Sequence, residues 1–534
     1  MIMFDRGEII LAILIKNGTV YDGTDNPPVI MDILVDKGII KKMGANLPPV
    51  KATVIDATNL AVSPGFIDAH SHNDFFVDKP NSSQSILPFL KQGITSQVVG
   101  NCGFSAYGVH KESAYKNLVG GMLFKAAKPA SLDDFVKLTE GNLDVNIIPL
   151  VGHGTTRISV TGYESNELTR YEQAKQLEIL EENLKMGAFG GSFGLMYVPS
   201  MYAPKEELIS YAEMIKKYDG ILTIHPRACS KVALGYPLLS KSHIEQGLDE
   251  VIDIMEKTGV RMEYSHLIFV GKSSWKSVDP MLTRFHEMKA KGFEIGYDMY
   301  PFTFGASVIT VVLPAWYLKL TDEEKKKKST RFKLKTVITI TKKLLGIEFS
   351  DMTVAYIGKD YPEYEGKTVA EIAKNEGANE FDMYLKLVDL SEGKGRIMLD
   401  KYYNEQIINR LMDDDLSVFM TDAWYEESGT QNAGSYQAMP YFIQKALERK
   451  LPLERIIHKM TGATADRFRI NQRGYLKEGY AADITIFDPK SVIVNPKVPD
   501  ATPSGIQTVI VNGEISIDHD KYLKPKSGKV LRKK

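Results

Sequence analysis

GFIDAHSHNDF (65–75) runs from Gly65, Phe66 and Ile67 into Asp68, then spaces His70 and His72 one residue apart before breaking off in Asn73 and Asp74. A short apolar run that ends in polar residues reads as a buried parallel strand delivering side chains to one end of a sheet. Residues i and i+2 of an extended strand share a face, so both imidazoles can converge on one point. Seven further runs of this style follow: ITSQVVG (94–100), VNIIPLVG (145–152), GAFGGSFG (187–194), GILTIH (220–225), RMEYSH (261–266), FEIGYDMY (293–300) and LSVFMTD (416–422). Between them lie helical stretches such as TRYEQAKQLEILEENLKMG (169–187) and EVIDIMEKTG (250–259), each ending at Gly as a helix C-cap does. Eight strands alternating with helices imply an α/β chain whose βαβ units close into a (β/α)8, TIM-like barrel, with its active site at the carboxyl ends of the strands.

Outward from the barrel, ILIKNGTVYDG (13–23), MDILVDKGII (31–40) and TVIDATNLAVSP (53–64) read as short strands, and GYLKEGYAADITIFDP (474–489) and IQTVIVNGEI (506–515) repeat the style. Both chain ends therefore predict one small β-sandwich, with 1–63 and 474–534 flanking a barrel domain at 64–473. More than 110 residues separate the seventh and eighth runs, too many for one connection. An insertion at 302–400 fills that gap and lies where lids usually lie. It holds DEEKKKKSTRFKLK (322–335), read as a solvated helix face, and a further helical stretch at 368–388.

Composition narrows the class. The 534 residues are 43% hydrophobic and 25% charged, and 66 Lys and Arg against 67 Asp and Glu give a net charge of -1. Such usage is globular, and the absence of a global field argues against nucleic acid and membrane as partners. Two cysteines, Cys102 and Cys229, cannot make a secreted disulfide framework, so the expected compartment is cytoplasmic. EIILAILI (8–15) is flanked by Asp5 and by Lys16-Asn17-Gly18, which does not fit a signal peptide, and no run reaches the roughly 18 apolar residues of a spanning helix. The expected partner is a small molecule; a homo-oligomer stays open.

The chemistry sits at the strand ends. Of ten histidines, His70, His72, His153, His225 and His266 all fall at predicted carboxyl ends, with Cys102 just after strand two and Asp422 closing strand eight. Imidazole, thiolate and carboxylate together suit Zn²⁺, and the soft thiolate disfavours Mg²⁺ or Ca²⁺. Ligands scattered over a barrel mouth imply a catalytic metal with an open position, whereas a structural zinc gathers its ligands close in sequence. Zinc brings the pKa of a bound water towards about 7, and a neighbouring carboxylate, here Asp422, can carry the proton to a leaving nitrogen. His153 is read as packed and hydrogen-bonded, and Cys229 as a bystander. Arg227, two residues beyond His225, could meet a substrate carboxylate or pair with a barrel carboxylate. LMYVPSMY (195–202) either packs a loop or floors an acyl site.

SPGFIDAHSHNDF (63–75), GITSQVVGNCGFS (93–105), VGHGTTR (151–157), HPR (225–227), SHL (265–267), DMYPF (298–302), Thr421-Asp422 and MTGATADRF (460–468) closely resemble the N-acyl-D-amino-acid deacylases of the amidohydrolase superfamily, in order and at similar spacing. The resemblance implies zinc on Cys102, His225 and His266, a second and weaker metal position at His70 and His72, Asp422 as catalytic acid/base and Tyr300 as a substrate contact. Three departures stand out. The family follows its strand-eight Asp with Gly and, about ten residues on, an Arg that grips the substrate carboxylate; here Ala423 follows, no Arg lies between Arg410 and Arg449, and Phe302 replaces a Tyr. Arg227 or Lys272 would then have to take the carboxylate. A cyclic-amide hydrolase on the same barrel needs a Lys at the end of strand four, and GAFGGSFGLMY (187–197) has none. A non-catalytic scaffold is the remaining alternative, and it would not be expected to keep every ligand.

Overall fold

The computed structural model describes residues 12–79, 81–119, 130–164, 166–233, 241–318 and 320–534. The first eleven residues, and with them the start of the apolar run 8–15 and of the 1–63 segment, lie outside the described residues.

Eight parallel strands form one sheet in chain order: Phe66–Asp68, Ile94–Val99, Asn146–Gly152, Gly190–Gly194, Ile221–His225, Arg261–Tyr264, Ile295–Met299 and Ser417–Phe419. Backbone bonds from Ala69 N–H to the Phe419 carbonyl (3.2 Å) and from Asp422 N–H to the His70 carbonyl (3.0 Å) join the last strand to the first. Every residue of these strands is buried, as expected of strands covered on one side by helices and on the other by the barrel's own interior. The intervening helices begin and end on local signals. Thr169 and Glu172 form a capping box on Arg170–Lys185, and Gly259, left-handed at φ 63°, closes His243–Thr258.

The chain ends build one continuous nine-stranded sheet. Its N-terminal part includes Ala12–Val20, Val29–Asp36 and Ala61–Pro64; its C-terminal part includes Ile484–Phe487 and Ile506–Val511. The two parts meet where Ala61–Pro64 pairs antiparallel with Ile484–Phe487. The sheet curls until Ile40 exchanges backbone bonds with Gly479 and Tyr480, enclosing a core of Ile15, Ile33, Val62, Ile484 and Ile510. The sandwich expected from both termini is thus a single sheet wrapped round its own apolar centre.

The insertion leaves the barrel after Met299 and returns through the helix Glu405–Asp413. Gly305–Val308, Arg396–Leu399 and Met352–Tyr356 make a three-stranded antiparallel sheet, with Arg396–Leu399 in the middle. Phe269 N–H donates to the Tyr402 carbonyl (3.1 Å), Gly271 N–H to the Lys401 carbonyl (2.9 Å), and Thr430 N–H to the Ala355 carbonyl (2.8 Å). The insertion is therefore fastened to the loops after the sixth and the eighth strands and roofs the carboxyl face. The lysine run lies on the helices Asp322–Lys326 and Lys328–Leu345, and its charged side chains are exposed or half-buried.

Candidate metal and catalytic site

Asp68 sets the geometry at the end of the first strand. Its buried carboxylate accepts from His70 N–H (3.3 Å), Thr421 N–H (2.9 Å), Thr421 Oγ (2.7 Å) and Gln97 Nε2 (3.2 Å), locking strands one and eight together. His70 and His72 leave that lock on the same side. After the second strand the chain turns sharply through Gly100, Cys102 and Gly103, at φ 80°, 52° and 79°. Ser192 accepts from Gly103 N–H (3.0 Å) and donates to the Gly100 carbonyl. A side chain on Gly194 would collide with the Cys102 carbonyl, which explains why the fourth strand is glycine-rich where this turn presses on it.

His225 is the last residue of the fifth strand, and His266 follows the sixth. Cys102 (φ 52°), His266 (φ 34°) and Asp422 (φ 48°) all stand in the left-handed region, where a residue with a side chain is strained. Such strain, of order 1–3 kcal/mol per residue, gathers at sites that need a fixed geometry.

The Cys102 sulfur lies 3.3 Å from His70 Nε2, 3.6 Å from His225 Nδ1 and 3.5 Å from His266 Nε2. Asp422 Oδ1 lies 3.6 Å from His70 Nε2 and 3.7 Å from His72 Nε2. Two trios able to hold a metal share the sulfur: Cys102 with His225 and His266, and Cys102 with His70 and His72. Zinc bonds of about 2.3 Å to sulfur and 2.0–2.1 Å to nitrogen at tetrahedral angles put the two ligand atoms about 3.5 Å apart. The Cys102 to His225 and Cys102 to His266 separations match that spacing. The other ring nitrogen of each, Nε2 of His225 and Nδ1 of His266, is buried without a hydrogen-bond partner among the described residues.

Electrostatics point the same way. Burial, followed by the charges of Asp422 and Asp298, pushes the Cys102 thiol well above its ordinary range. Burial holds His70 down at about 3 and lowers His225 and His266. Neutral imidazoles offer lone pairs, and a cation between them reverses the penalty on the thiolate. The donor set fits a divalent metal.

Asp298 receives His266 N–H and lies 3.4 Å from His70 Nδ1, so one carboxyl orients two candidate ligands. The DMYPF motif contains this residue without revealing that role. Tyr300 is buried with its hydroxyl unpartnered among the described residues, and its ring meets that of Tyr403, from the insertion, at 5.5 Å between centroids. Sequence reasoning missed Tyr403; its only trace is the aromatic pair Tyr402-Tyr403. Tyr197 packs on His225 and Trp424 on His72, at 4.6 and 5.6 Å between centroids.

Other candidates are placed elsewhere. Arg227 takes the second of its two readings: its guanidinium grips Glu250 (2.9 and 3.0 Å) and donates to the Met201 carbonyl (2.7 Å). Lys272 is exposed at the start of a 3-10 turn, outside both trios. His153 is buried between Ser200 Oγ (2.9 Å) and Glu207 (3.0 Å). Cys229 joins neither trio, and burial pushes its thiol to about 12.

The chain matches the amidohydrolase family model over residues 421–517. It is 28% identical over 533 residues to an N-acyl-D-aspartate deacylase of Alcaligenes xylosoxydans xylosoxydans, covering 97% of this chain and 94% of that one. A D-aminoacylase of the same organism is 26% identical, with 97% of each chain covered. The fold superposes on an N-acyl-D-glutamate deacylase from Bordetella bronchiseptica, solved with zinc and a phosphonate inhibitor, with a TM-score of 0.80 at 23% identity, covering 98% of this chain and 99% of that one. The chain thus resembles N-acyl-D-amino-acid deacylases over nearly its whole length.

Proposed function

We propose that this chain hydrolyses the amide bond of N-acyl amino acids to a carboxylate and a free amine, with zinc as its metal and the D series as its substrates. The D preference is carried over from the relatives. The chemistry rests on one observation: a single cysteine sulfur shared by three imidazoles at 3.3–3.6 Å, with a carboxylate beside them, at the mouth of a barrel.

A zinc ion held by Cys102, His225 and His266, with a weaker second position at His70 and His72, would polarise the amide carbonyl and acidify a water at neutral pH. Asp422 is the proton carrier. Burial opposes its ionisation, but the adjacent imidazoles of His72, His266 and His70 outweigh it and hold the carboxyl well below its usual range. It is therefore ready as a base, and once protonated it readily gives the proton to the leaving nitrogen. Asp298 keeps His70 and the His266 backbone from turning. Tyr300 offers its hydroxyl to the substrate. Arg227 is committed to Glu250 and Lys272 points to solvent, so neither closes on a substrate carboxylate in this arrangement. Preference for an acid over its neutral amide is accordingly expected to be weak.

The test is amine release by the zinc-loaded protein from N-acyl-D-amino acids, their L enantiomers and the matching neutral amides. Release from none of the three, with zinc bound, refutes the hydrolase reading; release from the L series alone refutes the D assignment.

A further inference from the structure

The insertion carries a feature that the barrel chemistry does not use. Its longest helix, Lys328–Leu345, is apolar on two sides. Leu334, Ile338 and Leu345 are buried. On the outward side Phe332, Ile340 and Leu344 are 75%, 51% and 45% exposed. With Thr336 they make a row at four-residue steps, where successive side chains are neighbours about 5–6 Å apart. Elsewhere on the helix, the Lys333 ammonium lies 4.4 Å over the Trp316 ring. One exposed leucine carries no meaning, but a row of three large apolar side chains on one helix does.

The helix itself carries charge of one sign. Residues 328–345 hold five Lys, one Arg and no acidic residue, and Lys325, Lys326 and Lys327 precede them. Asp322, Asp382 and Glu348 pair with Lys325, Arg331 and Lys342, while Lys326, Lys327, Lys328 and Lys343 form no ion pair among the described residues. The near-zero charge of the whole chain conceals this concentration.

We propose that this helix face docks the protein on an anionic lipid surface. A helix with Lys at its polar positions and Phe, Ile and Leu between them lies in a headgroup layer, with the apolar side chains at the acyl boundary and the ammonium groups among the phosphates. A second copy of the chain fits worse, because a two-fold contact through this face sets the lysines of one helix against those of the other. A nucleic acid backbone meets the lysines but leaves Phe332, Ile340 and Leu344 in water. The docked face belongs to the insertion that roofs the barrel mouth, so an amphiphilic substrate in the lipid would lie on the same side as the site.

The experiment is flotation of the full chain with vesicles of phosphatidylcholine alone and of equimolar phosphatidylcholine and phosphatidylglycerol. The parent is expected to float with the anionic vesicles only and to be released when salt rises to about 1 M, where the screening length falls to about 3 Å. Lys328→Glu with Lys343→Glu should weaken partitioning at least about tenfold, since each basic residue near such a surface contributes roughly fivefold. Phe332→Ser with Ile340→Ser should weaken it independently, and an unchanged melting temperature checks the fold of both pairs. Equal flotation of the parent with both vesicle types, or no flotation at all, overturns the proposal. Sedimentation showing a parent dimer that Phe332→Ser with Ile340→Ser dissociates also overturns it, by giving the face to a second copy.

Discussion

At the carboxyl ends of the barrel strands, Cys102, His225, His266, His70 and Asp422 crowd round one point, and three candidate residues of the site have strained backbones. At the amino ends, Glu263 and Lys459 are also buried, but the ionisable groups there disperse into separate partnerships. Arg467 reaches Glu263 and the Leu416 carbonyl, and a side chain on Gly296 would occupy the same space as its guanidinium. Lys459 donates to the Asp414 carbonyl and to Ser417 Oγ (2.7 Å) at the start of the eighth strand. The C-terminal segment runs beneath, with Ile147 N–H donating to the Lys529 carbonyl and Leu531 N–H to the Ile147 carbonyl, both at 2.8 Å. Burial of charge is common to both ends, so burial alone does not mark a site. Convergence on a shared point does.

If that contrast holds, substitutions at the mouth should remove activity and spare the fold, and those at the base should do the reverse. The largest effect is expected for Cys102→Ala, which deletes the one atom common to both trios. Tight zinc and amide hydrolysis should vanish together, while the melting temperature of the metal-free protein stays near that of the metal-free parent. Full zinc occupancy in the variant, by elemental analysis, would remove the sulfur from the site.

Asp422→Asn comes next. It keeps shape and hydrogen bonding but cannot carry a proton, so kcat should fall by roughly 10² to 10⁴ with zinc retained. If this variant turned over substrate as fast as the parent, the proton transfer would belong to another group.

The opposite signature is expected at the base. Arg467→Met strands Glu263, which burial already pushes up and which Arg467 pulls down. Breaking a buried pair from one side costs about 3–5 kcal/mol. Urea unfolding should show that loss, with zinc content and activity per folded molecule unchanged; a kcat loss larger than the stability loss would show that base and mouth are coupled.

The barrel was legible because strands buried on both faces leave continuous apolar runs: FEIGYDMY (293–300) contains Ile295–Met299, and LSVFMTD (416–422) contains Ser417–Phe419. The residues of the mouth stood out because metal chemistry demands rare residue types at strand ends. What the sequence left hidden depends on pairing across the fold. Asp298 looks like any strand-end carboxylate until it touches His70 and His266, and the Ser192 hydroxyl looks like a core serine until it fastens the Cys102 turn. Arg227 could not be assigned before Glu250, on the helix that follows the fifth strand, took its guanidinium. The curl of the terminal sheet depends on Ile40 meeting Tyr480, and the lysine run 322–335 read as a solvated helix face without showing that Phe332, Ile340 and Leu344 stay exposed on the same helix.

The smallest effect concerns Lys459, and it tests whether the base groups are as unrelated to catalysis as their pairing implies. Burial, aided by the charge of Arg455 and opposed by Asp414, brings its ammonium from 10.5 down to about 7. The sign follows from proton counting. Between pH 7 and pH 10 the unfolded chain holds this proton and the folded chain has released it, so folding is favoured as pH rises, by up to about 1.4 kcal/mol per pH unit for one proton. Below pH 7 both states are protonated and the folded state carries the whole cost of a buried charge. Lys459→Met removes the titration, so the difference in unfolding free energy between parent and variant should shift in the parent's favour from pH 7 to pH 9. Below pH 7 that difference should be flat. A difference that is flat across the whole range would mean that Lys459 stays charged in the fold, held by Asp414 and Ser417. A change in the pH profile of kcat on the same substitution would tie the base to the mouth and end the distinction between them.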